Sequence, residues 1–89
     1  MINQFQRTEL ILGKNNIEKL HKTRVAVIGL GGVGSYAVEA LVRAGIGSFL
    51  IVDFDRVNLT NINRQLIALH STVGHLKTDL IQQRMLDIN

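Results

Sequence analysis

The stretch VAVIGLGGVGS (residues 25–35) decides the fold, because a continuous apolar run meets a cluster of glycines there. Such a run is typical of a strand buried on both faces, as in a parallel sheet. From Val33 to Ala44 the apolar residues recur about every four positions, which is the period of a helix. We expect these residues to face the core. Gly45 follows where a left-handed glycine ends a helix.

A second apolar run, FLIV (residues 49–52), predicts another buried strand that ends at Asp53. Strand, glycine turn, helix and strand within about 30 residues make a βαβ unit. The order of the elements therefore predicts an α/β fold of Rossmann-like type, with a mainly parallel sheet and flanking helices.

The chain divides into two parts. Residues 1–23 read as an N-terminal helical arm in which Asn16 caps a short helix, and residues 24–89 as the first part of the Rossmann-like domain. A weaker helix around Ile67 and an amphipathic helix from Leu76 to Ile88 should follow the second strand. Because two parallel strands cannot cover their own edges and faces, we expect this sequence to be the front piece of a longer protein.

Composition narrows the classes of protein. Of the 89 residues, 46% are apolar and 19% charged, as in globular proteins, and there is no cysteine for a disulfide or thiolate metal site. No apolar stretch is long enough to span a bilayer, and the N-terminus does not resemble a signal peptide, so we expect a cytoplasmic protein. A net charge of +3 permits an anionic partner without requiring one.

The glycines form the pattern G-x-G-x-x-G directly between a strand and a helix. In this context Gly29 permits a tight turn, Gly31 lets a phosphate approach the backbone, and Gly34 allows the helix to pack closely on the strand. Gly32 belongs to the same turn, and the N–H groups at the helix start are free to bind an anion. The alternative is a tight turn that binds nothing.

Asp53 lies 19 residues after Gly34, at the end of the second strand. An acidic residue near this distance binds ribose hydroxyls in dinucleotide folds. The alternative is a carboxylate that only caps the end of the strand. Up to this point a nicotinamide-dependent oxidoreductase and an ATP-using enzyme fit equally well.

Two cations further along favour ATP. Arg64 lies in the stretch TNINRQ (residues 60–65), and Lys77 follows thirteen residues later. The arginine fork and the lysine ammonium both match phosphate oxygens, and neither has a place in the nicotinamide pattern. On spacing alone each could equally be a solvated surface charge.

The chain resembles the adenylating superfamily that includes the ubiquitin-activating enzymes and their ThiF-type bacterial relatives in thiamine and molybdopterin biosynthesis. The stretches that carry the resemblance are RVAVIGLGGVGSYAVEALVRAGIG, VDFDRVNLTNINRQ and STVGHLK, and it extends from about Phe5 to Asn89. Within the superfamily, DFDxVxxTNINRQ and the closing LDIN are most similar to the branch that acts on threonylcarbamoyladenosine in tRNA.

The resemblance implies roles for individual residues. Gly32 and its neighbours would lie against ATP, Asp53 would bind the ribose, and Asp55 would support the site. Three residues would contact the phosphates: Asn61, Arg64 and Lys77. Arg7 matches an arginine that relatives extend across a dimer to the neighbouring ATP.

The sequence also departs from the family pattern. Many relatives carry a second arginine three residues before the first, where this chain has Gln4. The magnesium-binding aspartate of the family and its downstream cysteines are absent from these 89 residues, so no metal ligand is predicted here although ATP implies Mg²⁺. His21, His70 and His75 do not have a metal-binding spacing.

The resemblance implies ATP-dependent adenylation of a carboxylate, followed in the tRNA branch by cyclisation with loss of water. It also implies a homodimer, tRNA as substrate and a possible sulfur-transfer protein as partner. Three alternatives stay open: adenylation of a sulfur-carrier protein's C-terminus, a nicotinamide-dependent oxidoreductase, and a non-enzymatic interaction module.

Overall fold

A computed structural model describes residues 3–89, so the first two residues of the predicted 1–23 arm lie outside the described part of the chain. The arm holds two helices, α1 (Gln6–Leu12) and α2 (Lys14–Lys22). Strand β1 (Arg24–Ile28), helix α3 (Gly32–Ala44) and strand β2 (Ser48–Val52) follow. Two 3₁₀ turns, Leu59–Asn61 and His70–Thr72, lead to the last helix, α4 (Lys77–Ile88).

The predicted βαβ unit is confirmed. β1 and β2 are parallel, with Arg24 paired to Ser48 at one end and Ile28 paired to Val52 at the other. The carboxyl ends of both strands therefore meet at one edge of the sheet, where the glycine turn begins.

The prediction that the strands are buried on both faces is wrong for the described chain. Val27, Phe49 and Ile51 pack against a core that contains Val38 of α3 and Ile81 of α4. Side chains alternate along a strand, and the opposite face is open, with Ile28 81% exposed. The reason is that α3 and α4 both pack on one side of the sheet.

The prediction of which side of α3 faces the core is also wrong at the start of the helix. Val33 is 87% exposed, whereas Ser35, Val38 and Val42 are buried. The close packing of Gly34 on the glycine turn fixes the first helical turn, so that Ser35 faces inward and Val33 outward. The end of the helix is as predicted, because Gly45 has φ 110° and ψ 10°. Its N–H donates to the Val42 carbonyl, and the next N–H reaches Leu41.

Two shorter predictions need correction. Helix α2 begins at Lys14 rather than after an Asn16 cap, and the Asn16 side chain instead donates to the Leu12 carbonyl at 2.7 Å. The region around Ile67 forms turns rather than a helix, because Ile67 is held in the core between the two 3₁₀ turns. The last amphipathic helix is confirmed by α4.

A carboxylate on α3 joins the two helices that cover the sheet. Glu39 accepts hydrogen bonds from Arg84 Nε on α4 at 2.5 Å and from Arg43 Nε at 2.8 Å. The hydrogen bond from Arg84 is the strongest influence, and together with Arg43 it lowers the pKa of Glu39 although burial acts in the opposite direction. The ion pair therefore contributes stability that depends on pH.

We expect Glu39→Gln to lower the free energy of unfolding of the full-length protein by about 0.5–1 kcal/mol at pH 7, since Arg84 is partly solvated. The folded-state pKa is depressed, so the contribution is complete above the ordinary carboxyl pKa of about 4.3 and is lost as the pH falls through the folded-state value. Urea unfolding from pH 7 to pH 3 measures the difference. Glu18→Gln, an exposed carboxylate on α2, is the control, and an equal effect of both variants would contradict the assignment.

Candidate functional site

The glycine turn has the backbone geometry that its sequence predicts. Gly29 has φ 88°, which a side chain would disfavour, and its N–H donates to the Val52 carbonyl at 2.8 Å. A Cβ on Gly34 would overlap the Gly29 carbonyl oxygen. Gly29 and Gly34 are therefore required by the fold itself.

Gly31 and Gly32 have a different environment. A Cβ at either position would meet no atom closer than 3.9 Å, so the absence of a side chain is not needed for packing. Open backbone at the start of a helix is what a bound anion requires, since the first N–H groups of the helix have no intrahelical acceptor. Ser35 does not face this space, because it is buried and its hydroxyl donates to the Gly31 carbonyl.

Asp53 joins the turn to the end of β2. Its Oδ2 accepts the Leu30 N–H and its Oδ1 accepts the Asp55 N–H, both at 2.7 Å. Burial, the largest single influence, opposes ionisation, but the two N–H groups and the charge of Lys77 together outweigh it and lower the pKa of Asp53. The carboxylate is therefore ionised at neutral pH and keeps lone pairs for a further donor.

Lys77 is buried next to this carboxylate. It is the first residue of α4, is 6% exposed, and donates its backbone N–H to the Asp55 carbonyl at 3.1 Å. The sequence left open whether Lys77 is a solvated surface charge, and its burial answers that question. The Asp55 side chain itself is exposed, and the residue supports the site through its backbone.

The stretch of residues 60–65 lies against the open glycines. The Arg64 carbonyl would be 3.9 Å from a Cβ on Gly32, and Gln65 Nε2 would be 3.9 Å from a Cβ on Gly31. Asn61 is buried and its Oδ1 accepts the Asn58 N–H at 2.9 Å, so its side chain holds the turn. The Arg64 guanidinium is exposed and donates through one nitrogen to Thr60 and Asn63, which leaves its other donors available.

The remaining candidates lie elsewhere. Arg7 is exposed on α1 and makes neither a hydrogen bond nor an ion pair within residues 3–89. His21 Nδ1 lies 2.8 Å from the Gly45 carbonyl oxygen, which gives this histidine a packing role. Over the same residues there is no group of three His, Cys, Asp or Glu side chains that could hold a metal, and no helix is long and apolar enough to cross a membrane.

Gln65 also lies beside the open glycines, although the sequence did not predict it as a candidate. Its amide is buried beside Gly31, although only its position directly after Arg64 could have drawn attention to it. A cavity of about 750 Å³ lies between β2 and α4 and includes none of the predicted site residues. The glycine turn is therefore identified by its chemistry and not by the size of a cavity.

Comparison with known proteins shows which proteins have a similar sequence. A sequence model described as the ThiF family matches residues 3–89. The chain is 56% identical to the tRNA threonylcarbamoyladenosine dehydratase of Bacillus subtilis over 89 residues, which are 100% of this chain and 35% of that protein. It is 43% identical to an adenylyltransferase and sulfurtransferase of Lodderomyces elongisporus over 75 residues, or 84% of this chain and 16% of that one.

A solved structure has the same fold. The tRNA N6-threonylcarbamoyladenosine dehydratase of Escherichia coli, in complex with ATP, superimposes with a TM-score of 0.93 at 40% identity, over 97% of this chain and 35% of that one. The expectation of an α/β, Rossmann-like fold is confirmed. The chain spans about a third of the length of the bacterial tRNA threonylcarbamoyladenosine dehydratases that it matches.

The two kinds of glycine predict different mutational effects. Gly34→Ala should lower the free energy of unfolding of the full-length protein by about 2–4 kcal/mol, because backbone must move to admit the methyl group. Gly31→Ala should change it by less than about 1 kcal/mol, because the site has room and φ is −75°. Urea unfolding measures both variants. Equal losses of stability would show that Gly31 is also needed for packing.

Proposed function

Because the chain belongs to the ThiF family, we propose that it forms the first part of an ATP-binding domain that adenylates a carboxylate. The substrate that we propose is the threonylcarbamoyl carboxylate of modified adenosine in tRNA, as the name of the B. subtilis relative suggests. The observation that carries the proposal is the meeting of four features at one edge of the sheet: the open glycines, Asp53, buried Lys77 and the Arg64 segment.

Each feature has a function in binding ATP. The N–H groups of Gly32 and Val33 are in the first turn of α3 and would donate to a phosphate, and the helix dipole of α3 favours negative charge there. Asp53, ionised and with free lone pairs, would accept hydrogen bonds from ribose hydroxyls. Lys77 and Arg64 would neutralise phosphate oxygens.

The proposed reaction begins when a carboxylate oxygen attacks the α-phosphorus of ATP in line with the bond to the bridging oxygen. That bond breaks, pyrophosphate leaves and an acyl-adenylate forms. A nucleophile in the same modification then attacks the acyl carbon and displaces AMP, so the closed ring has lost the elements of water. The described residues act by positioning and by stabilising the charge on the phosphates.

Mg²⁺ would enter this site with the phosphates of ATP, as is usual for nucleotide enzymes. Within residues 3–89 no cluster of acidic side chains fits the ion, so we assign no magnesium ligand to this chain. We further propose a cytoplasmic homodimer that uses tRNA as its macromolecular substrate.

Adenylation of a sulfur-carrier protein's C-terminus is the second candidate, and the similarity to the Lodderomyces adenylyltransferase and sulfurtransferase favours it. Both candidates require pyrophosphate release from ATP, and they differ in the substrate that triggers it. Adding modified tRNA or a carrier protein to the full-length enzyme discriminates between them. A change of nicotinamide absorbance without pyrophosphate release would instead support an oxidoreductase.

Substitution of the two cations tests the ATP site. We expect Arg64→Ala and Lys77→Met each to slow ATP–pyrophosphate exchange by about tenfold or more, since a charge-assisted hydrogen bond contributes about 1.5–3 kcal/mol. Methionine is chosen at position 77 because it retains most of the buried stem. Arg24→Ala, at the opposite end of β1, removes the same charge away from the site. Unchanged exchange in both site variants, or an equal loss in Arg24→Ala, would refute the assignment.

Mixing inactive subunits tests the proposed action of Arg7 across a dimer. Arg7→Ala and Arg64→Ala proteins should regain about a quarter of wild-type activity after subunit exchange, because half the dimers are mixed and each has one intact site. Arg64 is preferred to Asp53 as the second position because Asp53 also holds the glycine turn. Absence of recovery after demonstrated exchange would show that Arg7 does not act in this way.

A further inference from the structure

The side chain of Gln65 is buried without its full set of hydrogen bonds. The residue is 8% exposed, and its Oε1 is enclosed with no partner among the described residues. Buried acceptors are nearly always paired, and leaving one unpaired reduces stability. Packing therefore holds this amide in place at a cost to the fold.

The backbone of Gln65 leaves the amide little freedom. Its N–H donates to the Asn61 carbonyl at 2.9 Å, and its own carbonyl accepts the Ala68 N–H at 3.0 Å. With Oε1 enclosed, the amide presents Nε2 to the glycine turn, at 3.9 Å from the position of a Cβ on Gly31. A neutral donor is thus held at one of the two glycines whose backbone is open and whose conformation does not require glycine.

We propose that Gln65 is a nucleotide-binding residue, whose Nε2 donates a hydrogen bond to a phosphate oxygen of ATP at Gly31. The inference rests on the proposed function and extends it to Gln65, a residue that could not be predicted from charge or from spacing in the sequence. Phosphate oxygens only accept hydrogen bonds, so the amide must present its Nε2 to the ligand. Burial of the side-chain carbonyl oxygen, Oε1, fixes the amide in that orientation. An unsatisfied group of this kind is expected where a protein sacrifices stability for binding.

This role predicts that removal of the amide weakens the binding of ATP but not the binding of a ligand without phosphates. In the full-length protein, Gln65→Met keeps the buried volume and removes the donor. We expect the dissociation constant for ATP to rise about fivefold, which is the effect of one neutral hydrogen bond. The dissociation constant for adenosine, which has no phosphate, should stay unchanged. The melting temperature should stay equal or rise, because the unpaired carbonyl is removed. Gln83→Met, on the exposed face of α4, is the matched control and should change none of the three.

Three results would overturn the proposal. If Gln65→Met binds ATP as tightly as the wild type does, the amide makes no contact with the phosphates. If ATP and adenosine weaken equally while the melting temperature falls, Gln65 has only a structural role. If Gln65→Met does not fold, Gln65→Asn, which has a shorter side chain, is used in its place. If the ratio of the affinities for ATP and adenosine is then the same as in the wild type, the contact between residue 65 and the phosphates is refuted. Failure of the wild-type protein to bind ATP would instead refute the proposed function, and the role of Gln65 with it.

Discussion

The carboxylate of Asp53 is the contact on which the rest of the site depends. One oxygen accepts the N–H of Leu30 in the glycine turn, and the other accepts the N–H of Asp55 beyond the second strand. The Asp55 carbonyl in turn accepts the N–H of Lys77, where α4 begins. A single side chain thus connects the start of α3 to the start of α4 across the edge of the sheet, and segments distant in sequence become one surface.

Asp53 has one function that the structure shows and a second that we propose. The family resemblance implies a residue that binds ribose, whereas the structure shows one that also fixes the backbone around the phosphate position. The two functions are compatible because a carboxylate can accept four hydrogen bonds and Asp53 accepts two within residues 3–89. They also explain why its pKa is low, since each N–H favours the charged form. The backbone of the turn therefore keeps Asp53 ionised before any ligand binds.

Much of this was predictable from local patterns. The two strands, α3 with its glycine cap and α4 follow from apolar periodicity and turn residues, and the glycine turn follows from its spacing. Burial was less predictable, because it depends on which elements cover a surface: α3 is rotated away from Val33 by the packing of Gly34, and one face of the sheet is open. Charge and spacing drew attention to Arg64 and Lys77, but they carry no information on the packing of a neutral residue. Gln65 was missed for that reason.

The position of Lys77 has a consequence for the thermodynamics of the whole domain. Lys77 is the first residue of α4, so its positive charge lies near the positive end of that helix dipole, an arrangement that opposes folding. Asp53 accepts the Leu30 N–H in the turn that precedes α3 and also interacts with the charge of Lys77 at the start of α4. An anion that enters there relieves this repulsion in the folded state and finds no comparable site in the unfolded chain. If the proposed nucleotide binds there, ligand binding and folding are linked, and saturating nucleotide should make the folded protein more resistant to unfolding and proteolysis.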